Sequence, residues 1–135
     1  MSTLSDLQNA VREYCDRYHI DHFPVSDPYD IKASWTSTSF PYAGKTGCYA
    51  FFDDDAELAY LGKASCGATI GRRAATYFWL NPETEKVEYT GWPDAWERVT
   101  VLHTIPVHEP HQAPSLEEYL IERLHPKYNR NGRKG

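Results

Sequence analysis

The stretch GCYAFFDDDAELAYLGKAS, residues 47–65, predicts the central element of the fold. Residues 47–53 form a short run of apolar and aromatic residues, a composition that favours a β-strand. An acidic turn follows at residues 54–56, and residues 58–62 have the composition of a return strand. The stretch therefore predicts an antiparallel β-hairpin.

Each strand of this hairpin carries a tyrosine near a glycine. Tyr49 follows Gly47 by two positions, Tyr60 precedes Gly62 by two positions, and Lys63 comes next. Pairing of the strands makes the two tyrosines neighbours. Taken singly, a tyrosine on a strand is more typical of a core aromatic than of a catalytic group, and Lys63 fits a plain loop lysine.

The composition is that of one globular domain. The chain has 135 residues, of which 41% are hydrophobic and 14% aromatic, enough for a single hydrophobic core. No apolar run is long enough to cross a bilayer, and the N-terminus lacks the pattern of a signal peptide. The three cysteines are an odd number without metal-type spacing. We therefore expect a cytoplasmic protein with reduced thiols and no membrane contact.

The charge is distributed unevenly. The net charge of −5 argues against non-specific binding of polyanions. Residues 123–135 nevertheless carry five basic residues and no acidic one: Arg123, Lys127, Arg130, Arg133 and Lys134. Such a tail fits either a solvated terminus or a segment that contacts phosphates.

Five further segments surround the hairpin. They are a helix over residues 5–18 with a Ser5–Gln8 capping box, an irregular connection over 19–46, a short helix over 70–79, a surface excursion over 81–94 and a third strand over 96–107. With the last helix, they predict an α+β fold with a small three-stranded antiparallel sheet flanked by helices. We place the domain at residues 44–135, with residues 1–43 as an N-terminal helical and irregular extension packed on the core.

The last helix carries a glutamate on its apolar side. Ser115 and Glu118 form a capping box, and Pro126 ends the helix. Three leucines share the buried face: Leu116, Leu120 and Leu124. At about 100° per residue, Glu117 projects inside this apolar arc. Its carboxylate either has a cation or a metal as partner, or extends past the edge of the arc to water.

Together these segments resemble the GIY-YIG nuclease domain, in the form of small stand-alone members related to the nuclease domain of bacterial excision repair. GCY at 47–49 and YLGK at 60–63 stand at its two tyrosine motifs, with cysteine and leucine at their middle positions. IGRRAATYF resembles the arginine helix of the family, and its register selects Arg73 rather than Arg72. LEEYLIERLHPKYN resembles the closing segment, which places the family glutamate on Glu117 and the asparagine on Asn129.

The resemblance implies a metal-dependent endonuclease that hydrolyses phosphodiester bonds in DNA, with RNA as another possible substrate and DNA repair as the process. It implies one Mg²⁺, replaceable by Mn²⁺, held by Glu117. The implied catalytic residues are Tyr49, Tyr60, Lys63, Arg73, Tyr77, Glu117 and Asn129. The implied nucleic-acid contacts are Lys63, Arg72, Arg73, Lys127, Arg130, Arg133 and Lys134.

The resemblance also assigns roles. One hairpin tyrosine orients or deprotonates the attacking water and the other holds a phosphate oxygen, with either order open. Lys63 and Arg73 are expected to favour the phenolate form. Asn129 either holds phosphate or orients the end of the helix that carries Glu117.

Two other functions fit the same residues. The chain can be a catalytically weak module that keeps the fold and binds nucleic acid through its basic tail. It can also be a protein-interaction domain with residues 19–46 as the contact surface. The carboxylate of Glu117 favours the nuclease, because a pure binder has no need for a carboxylate facing phosphate.

Overall fold

A computed structural model describes residues 1–35, 37–89 and 94–129. The helices are α1 (Leu4–Arg17), α2 (Ile31–Ser34), α3 (Ile70–Ala74) and α4 (Gln112–Leu124). The strands are β1 (Tyr29–Asp30), β2 (Gly47–Asp53), β3 (Leu58–Ala64), β4 (Phe78–Asn81), β5 (Lys86–Tyr89) and β6 (Val99–Pro106). Within the described ranges, every helix is too short or too polar to cross a membrane.

The central sheet is antiparallel, with its strands in the order β1-β6-β2-β3. The α+β class and the hairpin are confirmed, but the sheet has one strand more than expected. This strand, β1, comes from the N-terminal extension and pairs with Val101 and Leu102 of β6. A strand of two residues is too short to produce an alternating pattern, so no periodicity in the sequence indicates it.

The segment after α3 is more regular than expected. Strands β4 and β5 form a separate two-stranded antiparallel ladder, which occupies most of the expected surface excursion. The side chain of Asn81 helps to close the turn, since it accepts a hydrogen bond from the amide of Glu83. The helix predicted over 70–79 is correspondingly shorter: α3 ends at Ala74 and a 3₁₀ turn covers Ala75–Tyr77.

Two helix starts differ from the predicted capping boxes. Thr3 caps α1, with Asp6 as its reciprocal partner, in place of the Ser5–Gln8 pair. Helix α4 begins three residues before Ser115. In the preceding turn, the Gln112 side chain accepts hydrogen bonds from the backbone amides of His108 and Glu109. Ser115 instead accepts a hydrogen bond of 2.8 Å from the hydroxyl of Tyr14, which ties α4 to α1.

The third strand of the predicted sheet also starts later. Strand β6 begins at Val99, because residues 94–98 form a 3₁₀ helix that carries Trp96 into the core. Pro106 stands at the strand end, where its missing amide hydrogen costs no ladder bond.

Each face of the sheet has its own core. Helices α1 and α4 cover the face of Cys48, Phe52 and Leu61. The opposite face carries Tyr49 and Phe51, packed against α3, β4 and Trp96. The tyrosine motif thus lies on the face away from α4.

The segment after α4 closes the exposed edge of β3. Asn129 accepts a 2.7 Å hydrogen bond from the amide of Leu61 and donates a 2.8 Å bond to the carbonyl of the same residue. The amide of Tyr128 donates to the carbonyl of Ala59 over 2.8 Å. An edge strand presents unpaired backbone groups, and here the chain satisfies three of them.

An ion pair fastens the same segment to the hairpin turn. Lys127 Nζ lies 2.6 Å from Asp53 Oδ2 and 3.4 Å from Glu57 Oε1. Burial by itself would raise the pKa of Asp53. The hydrogen bonds from Lys127 and from the amides of Glu57 and Asp55 outweigh that effect and hold the pKa below its usual value. The carboxylate therefore stays charged and paired at neutral pH.

We predict that Asn129→Ala lowers the free energy of unfolding by about 2–4 kcal/mol, because the amide and carbonyl of Leu61 lose their partner. Urea unfolding followed by circular dichroism measures the change. Asn9→Ala, on the exposed face of α1, is the control and should change stability by less than about 0.5 kcal/mol. A similar small change for Asn129→Ala would mean that water replaces the amide at this edge.

Candidate active site

Three phenol groups meet beside the hairpin. The hydroxyl oxygens of Tyr49 and Tyr77 are 3.2 Å apart, and the Tyr77 hydroxyl donates to the Tyr60 hydroxyl over 3.4 Å. Tyr77 thus lies between the two motif tyrosines. These distances exceed the usual length of about 2.7–2.8 Å between hydroxyl groups. The contacts are therefore weak, and the hydroxyl groups keep capacity to bind a ligand oxygen.

The glycine of the second motif makes room for the tyrosine of the first. Tyr49 pairs directly with Gly62 across the hairpin, and a Cβ at position 62 would overlap the Tyr49 ring and hydroxyl. The ring therefore lies flat over bare backbone and is 1% exposed. Gly47 has a similar role, because a Cβ there would overlap the carbonyl of Ile105.

The Trp96 ring packs against two of the three phenol rings. Its ring stacks on Tyr77 at 5.5 Å and 5°, and it lies 5.5 Å from the Tyr60 ring at 56°. The side chain is completely buried. Trp96 was absent from the sequence-based site, because it stands in an irregular segment and nothing in its spacing relates it to the tyrosine motifs.

The phenols are held in their protonated form. Burial is the largest cause, and it raises the pKa of Tyr49, Tyr60 and Tyr77 above the ordinary value. Arg73 acts in the opposite direction on all three, but its effect is smaller. Arg73 thus favours the phenolate, as expected, but its effect does not outweigh burial in the chain by itself.

The Glu117 carboxylate is partly buried, and the positive charges of Lys63 and Arg73 act on it together with the negative charge of Glu118. Desolvation raises its pKa, while Lys63 and Arg73 lower it in part. The carboxylate also acts on the hairpin, since it contributes to the raised pKa of Tyr60 and of Cys48. Within the described residues, the charges of Lys63 and Arg73 act on this carboxylate, but neither side chain forms an ion pair with it.

The site spans both faces of the sheet edge. Side chains alternate along a strand, so Tyr60 and Lys63 project from opposite faces of β3. Lys63 was expected in the loop after the hairpin, but it belongs to β3, which continues to Ala64. It lies on the side of α4, where its charge acts on Glu117. Since β3 is an edge strand, groups from both faces meet there.

The arginine helix separates its two arginines. Thr69 caps α3 through a hydrogen bond from the amide of Arg72. Arg73 has its charge near all three phenols and near Glu117. Both side chains are exposed, and Arg73 is the one that the structure brings to the cluster, as the register predicts.

The other expected contacts lie elsewhere. Asn129 uses both polar atoms of its side chain on Leu61, so it positions the segment after α4 rather than reaching toward a ligand. Lys127 is paired with carboxylates of the hairpin turn, which leaves its proposed phosphate contact without support. Three residues of the expected basic tail lie outside the described residues: Arg130, Arg133 and Lys134.

The donor set around Glu117 fits a magnesium ion that keeps most of its water. Burial raises the pKa of Glu117, and the charges of Lys63 and Arg73 oppose that effect. A single carboxylate is a protein contribution that suits such an ion. A second acidic group, Asp53, Asp54 and Asp55, lies within 4.8 Å in the hairpin turn. Arg98 bridges Asp54 and Asp55, and Lys127 pairs with Asp53, so each of these carboxylates already has a cation as its partner.

Replacement of Gly62 tests the contact beneath Tyr49. We predict that Gly62→Ala displaces the Tyr49 ring and lowers the free energy of unfolding by about 1–3 kcal/mol, the usual cost of overpacking a core. Gly44→Ala is the control, because a Cβ at Gly44 meets no atom within 4 Å. Urea unfolding and the ring resonances of Tyr49 in NMR spectra report the two effects. Equal stability of both variants would contradict the close contact.

Comparison with known proteins gives consistent matches. A family model described as the UvrC-like GIY-YIG domain matches residues 45–130. The chain is similar to UvrABC system protein C of Mycoplasma mycoides, with 33% identity over 87 residues, 63% of this chain and 13% of that protein. The Chlamydia caviae protein of that name is 34% identical over 84 residues, 62% of this chain and 13% of its own length. The Alkalilimnicola ehrlichii protein of that name is 31% identical over 105 residues, which are 78% of this chain and 15% of that protein.

The chain thus aligns with 13–15% of the length of these relatives. The matched residues begin just before the first tyrosine motif and extend past Asn129, so they contain both motifs, the arginine helix and the closing segment. The same segments build the hairpin, the phenol cluster and the position of Glu117 in the structure. The chain belongs to the UvrC-like GIY-YIG domain family.

Proposed function

We propose that this protein is a metal-dependent endonuclease that hydrolyses phosphodiester bonds in DNA, with RNA as a second substrate to be tested and a role in DNA repair. The observation that carries the proposal is the position of Arg73, whose charge acts on three phenols and on the Glu117 carboxylate together. A purely structural cluster has no use for an exposed guanidinium beside a partly buried carboxylate.

Arg73 and Lys63 are suited to binding the phosphate at which the substrate is cleaved. Arg73 is a planar donor that can hold two phosphate oxygens at once, whereas Lys63 offers a compact point charge. In hydrolysis the water oxygen bonds to phosphorus while the bond to the leaving oxygen breaks. Negative charge accumulates on the phosphate oxygens, and fixed cations stabilise it.

Glu117 supplies the metal ligand in this proposal. Its neighbours Lys63 and Arg73 partly offset the effect of burial on its pKa, which helps the carboxylate to remain charged. Mg²⁺, or Mn²⁺ in its place, would add Lewis-acid stabilisation of the phosphate and of the leaving oxygen. Glu117 would hold the metal, and Arg73 and Lys63 would hold the substrate phosphate beside it.

The three tyrosines have different roles in this proposal. Tyr49 is 1% exposed, so we assign it to the placement of Tyr77. Tyr60 and Tyr77 are partly exposed and can contact a ligand. Because burial keeps both protonated, they first act as hydrogen-bond donors to phosphate oxygen or orient the attacking water. One of them becomes a base only when bound cations add positive charge.

A second candidate is a nucleic-acid-binding module of the same fold with weak activity. The raised pKa of the phenols favours it, because a protonated phenol is a poor base.

We also propose a cytoplasmic location, supported by three cysteines that are all free thiols.

We predict that Glu117→Gln lowers Mg²⁺-dependent cleavage at least about 100-fold, the usual cost of removing one group that stabilises transition-state charge. Binding in EDTA should change little. A suitable panel comprises supercoiled, linear, single-stranded, flapped and four-way DNA together with RNA. Glu118→Gln, at the exposed neighbouring position, is the matched control and should cleave as the unmodified protein does. Full turnover in Glu117→Gln would remove the metal-ligand assignment.

We predict that Arg73→Ala lowers the cleavage rate about 100-fold, while Arg72→Ala lowers it no more than about fivefold. Only Arg73 has its charge in the phenol cluster, whereas Arg72 is exposed at the helix surface. Single-turnover kinetics on the preferred substrate separate this effect from binding. Equal losses in the two variants would contradict the assigned register.

A further inference from the structure

A small aromatic pocket lies between the N-terminal extension and α3. Tyr29, Trp35 and Phe40 form its walls, Gly71 and Ala75 its floor, and it encloses about 270 Å³. We call it the extension pocket. Its walls meet edge to face: Phe40 lies 4.9 Å from Tyr29 at 88° and 5.6 Å from Trp35 at 63°.

The extension pocket is built and held in place by hydrogen bonds. The Tyr29 hydroxyl donates to the Thr38 carbonyl over 2.8 Å. The amide of Gly71 donates to the Ala43 carbonyl over 2.9 Å, which joins the extension to the start of α3. A Cβ at Gly71 would lie 2.9 Å from that of Ala43. The glycine thus lets the two segments approach and leaves the pocket open beside them.

Helix α3 relates this pocket to the active site. At about 100° per residue, Gly71 and Arg73 project from nearly opposite flanks of the helix, and Arg72 projects between them toward solvent. Arg73 faces the phenol cluster, whereas Gly71 lines the extension pocket. A strand that crosses α3 from the active site therefore passes Arg73, then Arg72, and reaches the pocket.

We propose that the extension pocket receives one unpaired base of the nucleic-acid strand whose phosphates lie on Arg73 and Arg72. The proposal rests on the proposed nuclease function and names its substrate class: a strand with at least one unstacked nucleotide near the scissile bond. Aromatic walls bind the flat face of a base regardless of its sequence. A base within a continuous duplex is stacked on its neighbours and cannot enter.

The charges beside the pocket favour this occupant over an apolar peptide. Arg72 is exposed next to the floor. Lys45 is exposed beside the helix start, where its carbonyl accepts the amide of Ile70. Two cations flanking an apolar pocket match a base that is attached to a charged backbone, because phosphates lie on both sides of it.

The test is a binding scan with wild-type protein in EDTA, so that no cleavage is needed. Flapped DNA carries one abasic site, moved along its single-stranded flap one position at a time, so that the duplex junction fixes the register of the strand. Loss of the base that occupies the pocket should weaken binding about tenfold at one position, as expected for one stacked base. Ala75→Leu fills the pocket from its floor. It should weaken binding of the intact strand by the same factor and remove the response to the abasic site.

Ser39→Leu fills the pocket from its exposed rim and gives the same readout if Ala75→Leu fails to fold. Glu83→Leu, on the turn between β4 and β5, controls for an added apolar surface. Salt-sensitive binding that no abasic position weakens would overturn the pocket assignment and leave the nuclease intact. A single responsive position in a protein that cleaves nothing would support the pocket and contradict the nuclease. Absence of nucleic-acid binding would overturn the pocket.

Discussion

The contact between the Tyr49 ring and the bare backbone of Gly62 is the constraint on which the site depends. It works only because antiparallel pairing sets these two residues opposite each other and because glycine lacks the atom that would displace the ring. The ring is then fixed in a single orientation, and its hydroxyl meets that of Tyr77. The two tyrosine motifs are therefore one structural unit, since each supplies what the other needs.

The aromatic packing that positions the phenols also determines their acidity. Trp96 stacks on Tyr77 and contacts Tyr60, which orients both rings but excludes water from around them. Exclusion of water disfavours the phenolate. Precise placement and a low phenol pKa are thus in conflict within the chain alone, and the charge of Arg73 offsets the effect of burial only in part.

Much of the site could be predicted from short segments of the sequence. The composition of residues 47–62 predicts the hairpin, the helical period of 3.6 residues places Glu117 within the apolar arc, and the choice of Arg73 came from the resemblance to the family motif. Strand β1 and the role of Trp96 could not be predicted, because their partners are distant in sequence and their own segments carry no period. Lys63 was expected in a loop, whereas β3 continues to Ala64. The pairing of Lys127 with Asp53 depends on a chain reversal after α4 that composition does not reveal.

The attachment of residues 126–129 to β3 has a consequence for association between molecules. Strand β3 lies at the sheet edge, and its backbone groups at Ala59 and Leu61 are bonded to Tyr128 and Asn129. Free groups in that row would form a template for a strand from a second chain. The closing segment therefore also protects this edge against pairing with a strand of another copy of the chain.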